Sequence, residues 1–335
     1  MDFALSIIIP AFNAEKTIGA LLESVVNDAD DTIEVIVVDD CSTDGTAEIV
    51  GRFPSVRIVR ADSRRGAAAA RNLGVRHATH DLLVFTDADT VFEEGTIPSI
   101  RHFLSSHPGA LCAAGIYSRV PANKGFMPRY KALWECAMLE LGDKGKEISQ
   151  IVGFPVRPGI VHRSLFERVK GFDEESFSGA DLEDMDFGNR VAKISPIYTV
   201  RYIRIRHNYP ERLLKELRTF ARRSFLWPRT FLKHRMFEGL GEASLENVFA
   251  NVAALLLPVG LVCALWRKWF LWFALACLTL FVVANWRFYR LAFKEEGVLF
   301  AVRSALTRYI HVVVLAASAG FSIVTLPFAK RKQEN

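Results

Sequence analysis

Short apolar runs alternate with amphipathic stretches along the amino-terminal part of the chain. The apolar and largely β-branched runs predict four strands, at Leu5–Ile9, Ile33–Val38, Val56–Val59 and Leu82–Phe85. Apolar residues at helical spacing predict connecting helices through Ile18–Val25, after Gly45 and across Arg71–His77. Strands and helices that alternate at this length predict right-handed crossovers and a mostly parallel sheet, as in nucleotide-binding α/β domains.

Acidic residues follow the predicted fourth strand. Asp87 and Asp89 come directly after it, and alternation along extended backbone would point both carboxylates to the same side. Ligands of open parallel sheets bind beyond the carboxyl ends of the strands. Hard oxygen ligands there suit Mg²⁺ or Mn²⁺, an ion that often shares its coordination with a diphosphate. An isolated Asp-x-Asp is more often a polar loop, so this interpretation needs support from the rest of the chain.

A second acidic pair, Glu183–Asp184, lies at the start of a predicted helix that continues through Val191, with Asp181 as a candidate cap. Acidic residues in a first turn are stabilised by the helix dipole, which is the ordinary explanation for them. The alternative is chemical, because a carboxylate that faces a hydroxyl can take its proton. Asp186 and Arg190 are spaced for an ion pair along the same helix.

The carboxy-terminal third is more apolar and more basic than the rest. Three apolar runs, Val248–Leu265, Trp269–Ala284 and Tyr309–Phe328, approach the length that spans a bilayer, with aromatic residues near their ends. Basic and apolar residues between Arg212 and Phe225 predict an amphipathic helix in the membrane interface. Buried core helices are the alternative for the runs. If the sheet domain is cytosolic, a third full crossing would leave Lys330–Lys332 outside, against the positive-inside rule, so the number of crossings stays open.

Composition narrows the class of protein. The 335 residues are 50% hydrophobic with a net charge of +5, and a basic region beside apolar segments favours a membrane surface over nucleic acid. The five cysteines show neither metal spacing nor a disulfide framework, which indicates reduced thiols. The first twelve residues lack a basic n-region and are interpreted as a first strand rather than a signal peptide.

The order of several motifs resembles the family 2 inverting glycosyltransferases over about Leu5–His207. The motifs are Ile7-Ile8-Ile9-Pro10-Ala11-Phe12-Asn13, Val37-Val38-Asp39-Asp40-Cys41-Ser42-Thr43-Asp44-Gly45-Thr46, Arg65-Gly66 leading through four alanines to Arg71-Asn72-Leu73-Gly74, Asp87-Ala88-Asp89, Gly171-Phe172-Asp173-Glu174, and Leu182-Glu183-Asp184-Met185-Asp186-Phe187. The resemblance implies an α/β domain of GT-A fold, with a Rossmann-like mixed sheet, followed by an all-α membrane region. It also implies transfer of a sugar from a nucleotide-sugar with help from a divalent metal.

The resemblance also implies site roles. The nucleotide-sugar pocket would be formed by Pro10, Ala11, Asn13, Glu15, Asp39, Asp40, Arg65, Gly66, Arg71, Asp87 and Ala88. Asp87 and Asp89 would hold the metal, and Asp184 would be the catalytic base, with Glu183 orienting the acceptor. For Asp44 a turn or cap is favoured over ligand contact. The alanines after Gly66 could let the backbone approach a ligand, or they could pack tightly on the sheet. The two interpretations are compatible.

Basic residues are candidates for the diphosphate or the acceptor. The candidates are Arg157, Arg163, His207, Arg222 and Arg223, with His207 also a candidate metal ligand. Solvated arginines and a structural histidine are the alternatives. Processive relatives such as cellulose and hyaluronan synthases carry Gln-x-x-Arg-Trp near Arg222–Trp227, and the different spacing here speaks against a processive polysaccharide synthase.

Three regions are expected: a catalytic domain over 1–210, a basic interfacial region over 211–245, and a transmembrane region of two to three spans over 246–335. The predicted enzyme is a multi-pass protein of the inner or plasma membrane whose catalytic domain faces the cytoplasm. Its acceptor would be a polyprenyl phosphate, a lipid-linked saccharide or a glycolipid. A non-enzymatic scaffold is the rival, but a scaffold has no need of both acidic motifs.

Overall fold

A computed structural model describes residues 3–143, 145–176, 182–234 and 245–331. The chain forms two compact units, described separately below. The sheet unit comprises the described residues up to Asn123 and from Gly145 to Asn208. The helical unit comprises the described residues of 124–144 and those from Tyr209 onward. The sequence assigned 124–144 to the catalytic domain, whereas these residues pack with the carboxy-terminal helices.

The elements follow in chain order. They are β1 (Leu5–Ala11), α1 (Ile18–Asp28), β2 (Ile33–Asp39), α2 (Thr46–Val50), β3 (Val56–Arg60), α3 (Ala67–His77), β4 (Leu82–Phe85), β5 (Thr90–Phe92), α4 (Thr96–Ser106), β6 (Cys112–Tyr117), α5 (Phe126–Asp143), β7 (Ile148–Ile151), β8 (Gly159–His162), α6 (Arg163–Arg168), α7 (Glu183–Ala192), β9 (Ile197–His207), α8 (Leu213–His234), α9 (Leu245–Cys263), α10 (Phe270–Ala284), α11 (Trp286–Glu296) and α12 (Val298–Arg331). The four predicted amino-terminal strands are all present, with β4 at its predicted bounds.

The sheet is mixed. Its strand order is β3-β2-β1-β4-β8-β6-β9-β5, with β7 also paired to β9. The first four strands in this order are parallel, while β8 runs antiparallel to both β4 and β6. The expectation of a mostly parallel sheet therefore describes one half, and the mixed sheet implied by the family resemblance describes the whole. Strand order reverses beside β1, and the carboxyl ends of β1 and β4 meet at such a switch point.

Alternating side chains of the strands feed two cores. Ile7 and Ile9 of β1 face a core with α1 and α4, whereas Ile8 between them faces a core with α3, α6 and α7. The second core is rich in stacked and edge-on aromatic rings, formed by Phe85, Phe154, Phe166, Phe172 and Phe187. Aromatic pairs of this geometry add to the free energy of burial. The sheet is thus covered on both faces, which fixes where α3 and α7 lie.

Helix α7 approaches the chain before β8 very closely at Gly188. A Cβ on that residue would lie 2.2 Å from the backbone nitrogen of Phe154. Only glycine fits such a contact, so Gly188 sets the position of α7 over the sheet. The acidic pair at the start of α7 is held in place by this packing.

The helical unit gathers α5, α8, α11 and α12 around one apolar cluster. Its buried members are Met127, Tyr130, Leu133, Trp134, Ala137, Phe288, Tyr289 and Ala292, with Leu213, Phe300, Ala301 and Ala305 packed against them. The α9–α10 hairpin meets α12 through a smaller cluster that includes Ala250, Phe281 and Val312.

The predicted apolar runs all lie in helices. Val248–Leu265 begins in α9, Trp269–Ala284 corresponds to α10, and Tyr309–Phe328 lies within α12. Among the described residues one helical segment, Val298–Thr325, is long and apolar enough to cross a membrane. A second would qualify if α10 and α11, which are bent by 64° at their junction, counted as one span. These helices agree with an α-helical region after the sheet domain.

Candidate functional site

Arg71 joins two of the acidic motifs. Its guanidinium donates to Asp87 Oδ1 at 2.7 Å and to Glu183 Oε1 at 2.8 Å, although the arginine is 3% exposed. It also lies over the ring of Phe172, 5.3 Å from the centroid. Burial alone would lower the pKa of Arg71, but the two carboxylates more than offset this and hold the pKa above its usual value. Helix α3, the loop after β4 and α7 therefore meet at one charged site.

The Asp87-Ala88-Asp89 segment is a turn rather than extended backbone. The backbone N–H and the hydroxyl of Thr90 both donate to the carbonyl of Asp87, at 3.2 and 2.8 Å. The expected strand-like alternation of the two carboxylates was therefore wrong, because the chain reverses to enter β5. Ala88 is buried in the core beneath this turn, 8% exposed.

Asp89 lies beside the end of β9. Its Oδ1 is 3.5 Å from His207 Nε2, and its backbone carbonyl accepts hydrogen bonds from the backbone and side chain of Asn208. The pairing of β5 with β9 brings these residues together. Two candidate metal ligands of the sequence thus become neighbours although they are far apart along the chain.

Asp184 is half-buried at the first turn of α7 and accepts a hydrogen bond from the backbone N–H of Met185. Burial raises its pKa to about 6, and the negative charges of Glu183 and Asp87 act in the same direction. Arg71 and the Met185 N–H partly oppose this rise. A carboxylate with a raised pKa is a stronger base than an exposed one, which suits proton abstraction near neutral pH.

Two further contacts fix α7 in place. Arg190 forms the expected i, i+4 ion pair with Asp186 at 2.8 Å, which confirms that spacing argument. Arg190 also donates to the backbone carbonyls of Val169 and Gly171. The predicted Asp181 cap lies outside the described residues, and the residue before the helix, Leu182, has a positive φ of 85°.

The Gly171–Glu174 motif is bound to α3 through Asn72. The amide of Asn72 donates to the Phe172 carbonyl and to Glu174 Oε1, both at 2.8 Å, and accepts from the Phe172 N–H. Arg65 forms an ion pair with Glu174 at 2.8 Å. Asn72 was not among the predicted site residues. Its position directly after Arg71 was the available signal.

The loop after β1 and the loop after β2 bind one another. Asn13 accepts from the Thr43 N–H at 2.8 Å and donates its own N–H to Ser42, while Glu15 accepts from the Gly45 N–H at 3.0 Å. Pro10 and Ala11 end β1 directly before this loop. Asn13 and Glu15 therefore shape the loops of the expected nucleotide pocket through contacts within the chain.

Asp44 acts as a turn residue, as expected. Its carboxylate accepts from the backbone and hydroxyl of Thr46 and from the Glu15 N–H. These hydrogen bonds lower the pKa of Asp44 despite the opposing effect of burial. The Asp44 carboxylate therefore stabilises the start of α2.

Asp39 and Asp40 differ in their surroundings. Both oxygens of Asp40 are used, by the backbone N–H groups of Arg65 at 2.9 Å and Gly66 at 2.8 Å. Asp39 accepts from the Ser42 N–H through Oδ1, whereas its buried Oδ2 accepts no hydrogen bond among the described residues. That oxygen is 3.3 Å from the Arg60 Nε. Asp40 therefore holds the loop after β3, whereas Asp39 is paired with Ser42 and Arg60.

A cation–π pair borders the same loops. The Arg64 guanidinium lies 3.8 Å from the centroid of the Phe12 ring, and Phe12 is 37% exposed. Sequence reasoning missed this pair. An exposed aromatic residue between Ala11 and Asn13 was the available signal, since large apolar side chains at a loop tip often mark a contact surface.

Arg157 is near the histidine end of β9. Its guanidinium lies 5.7 Å from the Tyr117 ring centroid, and that ring is 4.8 Å from the ring of His207. Tyr117 was absent from the predicted site because it carries no motif. The end of β6 brings it beside His207, so Arg157 and His207 are both neighbours of one aromatic ring.

Arg163 is placed elsewhere, and its predicted contact with diphosphate or acceptor is corrected. Its guanidinium donates to the carbonyls of Val75, Ala78 and His80, at 3.2, 2.8 and 2.9 Å. Antiparallel pairing of β8 with β4 puts residue 163 at the amino end of β4, opposite the Asp87 turn. Arg222 and Arg223 belong to the helical unit, where both lie exposed on α8.

The side chains of Asp87, Asp89 and His207 fit a divalent ion whose remaining coordination positions are filled by a substrate. Among the described residues no three histidine, cysteine or acidic side chains converge as a full ligand set. The 3.5 Å between Asp89 and His207 nevertheless allows both to bind one ion. Mg²⁺ commonly takes one or two protein carboxylates and fills its remaining positions with phosphate oxygens and water. Asp87 has one oxygen engaged by Arg71 and is 35% exposed.

Comparison with known proteins finds a family model that matches the amino-terminal half of the chain. The family model described as glycosyl transferase family 2 matches residues 6–169. An uncharacterised glycosyltransferase of Haemophilus influenzae is 36% identical over 105 residues, which are 31% of this chain and 35% of that protein. The Escherichia coli protein WfaP, described as a UDP-Glc:α-D-GlcNAc-diphosphoundecaprenol β-1,3-glucosyltransferase, is 35% identical over 104 residues, 30% of this chain and 41% of its own length. The matches thus span less than half of these relatives.

The fold has a solved counterpart. A mannosyltransferase from Pyrobaculum calidifontis, solved in complex with GDP-Man and Mn²⁺, matches with a TM-score of 0.56 and 20% identity. The match covers 94% of this chain and 86% of that protein. The mixed α/β sheet of this chain is accordingly of the GT-A type.

Proposed function

We propose, from the membership of this chain in glycosyl transferase family 2, that it transfers a sugar with inversion from a nucleotide-sugar to a lipid-linked acceptor. The observation that carries the proposal is the arginine that joins Asp87 to Glu183 at one site, because it unites the donor and acceptor motifs. The E. coli relative WfaP, which is named for transfer to a diphosphoundecaprenol-linked sugar, supports this acceptor class.

The nucleotide would lie across the loops that follow β1, β2 and β3. Asp39 Oδ2, which is 3.3 Å from Arg60 Nε, would accept a hydrogen bond from a base N–H or a ribose hydroxyl. Asp40 supports the site by holding the N–H groups of Arg65 and Gly66. The contacts of Asn13 and Glu15 with the loop after β2 keep the pocket in shape before a ligand arrives, which reduces the ordering cost of binding.

A divalent ion, Mg²⁺ or Mn²⁺, would be held by Asp89 and His207 with Asp87, and would supply charge neutralisation to the diphosphate leaving group. Arg157, beside Tyr117, would offer a guanidinium to phosphate oxygens from the other side of His207. Arg71 would keep the Asp87 carboxylate oriented, since one of its oxygens is fixed at 2.7 Å.

Asp184 would take the proton of the acceptor hydroxyl. As the hydroxyl oxygen bonds to the anomeric carbon, the bond from that carbon to the diphosphate oxygen breaks, and the nucleoside diphosphate leaves with the electron pair. Attack from the face opposite the leaving group inverts the anomeric centre. Glu183, bound to Arg71, would position Asp184 rather than take the proton.

The nature of the acceptor decides how much Asp184 matters. A sugar or glycerolipid hydroxyl needs a base, whereas a polyprenyl phosphate is already ionised and needs little help. With a hydroxyl acceptor, Asp184, whose pKa burial raises to about 6, would serve as that base.

A membrane location is proposed for the helical unit. It exposes many large apolar side chains, including Trp266, Trp269 and Trp272, at 75, 61 and 74%. Surfaces of this kind mark membrane contact. The catalytic site would face the cytoplasm, where nucleotide-sugars are present, and nucleic acid is not expected as a partner.

The first test is thermal unfolding of detergent-solubilised protein with nucleoside diphosphates, with and without Mn²⁺. We expect stabilisation by one nucleotide that requires Mn²⁺ and is lost in Asp89→Ala. The matched control is Glu94→Ala, which removes an exposed acid nearby. Stabilisation that is indifferent to Mn²⁺ would contradict the metal role, and no stabilisation by any nucleotide would contradict the enzyme.

A further inference from the structure

The long helix α12 has one apolar face that is exposed and one polar face that is buried. The exposed side chains recur every three or four residues along its length, at Leu299, Val302, Leu306, Ile310, Val313, Ala317, Phe321 and Val324. The opposite face buries polar groups, at Ser304, Thr307, Arg308, His311 and Ser322. The polar side chains of α12 are thus buried against neighbouring helices, and its exposed side chains are mainly apolar.

The basic helix α8 runs alongside α12 in the same direction. Glu216 and Phe220 both contact His311, with an oxygen-to-nitrogen distance of 3.7 Å and a ring separation of 5.1 Å. Further along both helices, the rings of Phe225 and Phe321 are 6.0 Å apart. Helix α8 must therefore lie at the same depth in the membrane as this part of α12.

Helix α8 also carries exposed cations. Lys215, Arg218, Arg222 and Arg223 are all exposed. A crossing of Val298–Thr325 would carry several of these charges into the hydrocarbon core, where charged side chains are rare and costly.

The middle of the apolar segment of α12 adjoins a buried charged network. Lys131 of α5 lies 3.1 Å from Glu216, which also faces His311. Arg308, 1% exposed, lies over the ring of Trp134, 4.1 Å from its centroid, and donates to Asn285. A crossing would place this network, and α5 with it, at mid-bilayer. Ionisable groups are rarely found there without a water-filled path.

We infer that α12 does not cross the membrane but lies in the plane of one leaflet beside α8, with its exposed stripe against the acyl chains. The inference rests on the membrane association proposed above and specifies how it is achieved. The exposed cations of α8 suit the head groups of an anionic leaflet, each contributing about 1 kcal/mol near such a surface. The exposed apolar side chains of α12 therefore contact the lipid.

The hairpin of α9 and α10 is the part that enters the bilayer. Its tip carries Arg267 and Lys268 between Trp266 and Trp269, and both helices are exposed over much of their apolar surface. A hairpin returns the chain to its side of entry. With α12 in the plane, Lys330 and Arg331 stay on the side of the catalytic unit, which removes the conflict with the positive-inside rule.

The first test locates both chain ends relative to the membrane. The full chain would be reconstituted into vesicles of phosphatidylglycerol and phosphatidylcholine, with a protease-cleavable tag before Met1 in one version and after Asn335 in another. We expect the two tags to be cleaved to the same extent in each vesicle preparation. Cleavage of the two tags from opposite sides would overturn the inference.

The second test measures depth along α12. Single cysteines at Leu299, Leu306, Val313 and Val324, in a chain whose five native cysteines are replaced by alanine, would carry a fluorophore quenched by nitroxide lipids of known depth. An in-plane helix gives the same depth at all four positions. A crossing helix gives a deep value at Leu306 and Val313 and shallow values at the ends, which would refute the inference. If the cysteine-free chain does not fold, the tag measurement alone decides.

Vesicle flotation separates this inference from the proposed function. Protein that does not float with anionic vesicles contradicts the membrane association as well as the orientation of α12. Protein that floats, with its two tags on opposite sides, contradicts only the orientation of α12.

Discussion

Arg71 donates to Asp87, 16 residues further along the chain, and to Glu183, 112 residues further. The arginine is almost fully buried, and each of its two terminal nitrogens is committed to one carboxylate. This bridge joins the loop after β4 to the start of α7. Removal of the guanidinium would therefore affect both folding and chemistry.

Arg71→Ala is expected to lower the free energy of unfolding by about 3–5 kcal/mol, because it leaves Glu183 buried without its partner. Arg71→Lys should recover only part of the stability. It restores a positive charge, but an ammonium cannot reach both carboxylates in the same geometry. Thermal and urea unfolding would measure both. Arg76→Ala, on the exposed side of the same helix, is the control, and equal losses in Arg71→Ala and Arg76→Ala would contradict the role of the bridge.

Asp184→Asn is expected to reduce kcat by about 10²–10⁴-fold with a hydroxyl acceptor while leaving nucleotide affinity unchanged. The amide keeps the size of the side chain but cannot take a proton. Single-turnover transfer and nucleotide titration would separate the two effects. A loss of kcat below tenfold would indicate an acceptor that is already ionised.

The activity should depend on pH through Asp184. Its pKa of about 6 means that the base is charged above this pH, so kcat/KM should rise with pH up to about 6 and then level off. The profile should lose this limb in Asp184→Asn. Persistence of the same limb in the variant would assign it to another group.

The raised pKa of Asp184 also affects the stability of the fold. A carboxyl group whose pKa is higher in the folded state than its unfolded value of 3.8 stabilises the fold when protonated, and this contribution is lost as pH rises through about 6. Asp184→Asn should therefore be more stable than the parent protein at pH 8, by a margin that shrinks toward pH 4.5. Melting temperatures at the two pH values measure the margin, and a pH-independent margin would contradict the prediction.

Arg163→Ala should reduce stability by several kcal/mol without a specific effect on catalysis, because it removes donors from three backbone carbonyls. The expected result is a lower Tm with kcat and KM retained below the transition. A selective rise in KM for donor or acceptor, with unchanged Tm, would restore the role in substrate binding expected from the sequence.

The sequence determined much of the amino-terminal sheet. Its short apolar runs were enough to locate four strands, because each run is rich in strand-forming residues and too short for a helix. Motif order was enough to identify the family, since several weak signals in a fixed order seldom coincide. The Asp186–Arg190 pair followed from helical spacing alone, which is a local property.

Only the tertiary structure decided how distant residues meet. The bridge from Arg71, the neighbours Asp89 and His207, and the ring of Tyr117 between His207 and Arg157 all depend on strand pairing over long separations. The surroundings of α12 are the clearest case. Hydropathy sums the side chains of one helix, whereas the cost of crossing a membrane depends on what packs beside it, and here that neighbour is the basic helix α8.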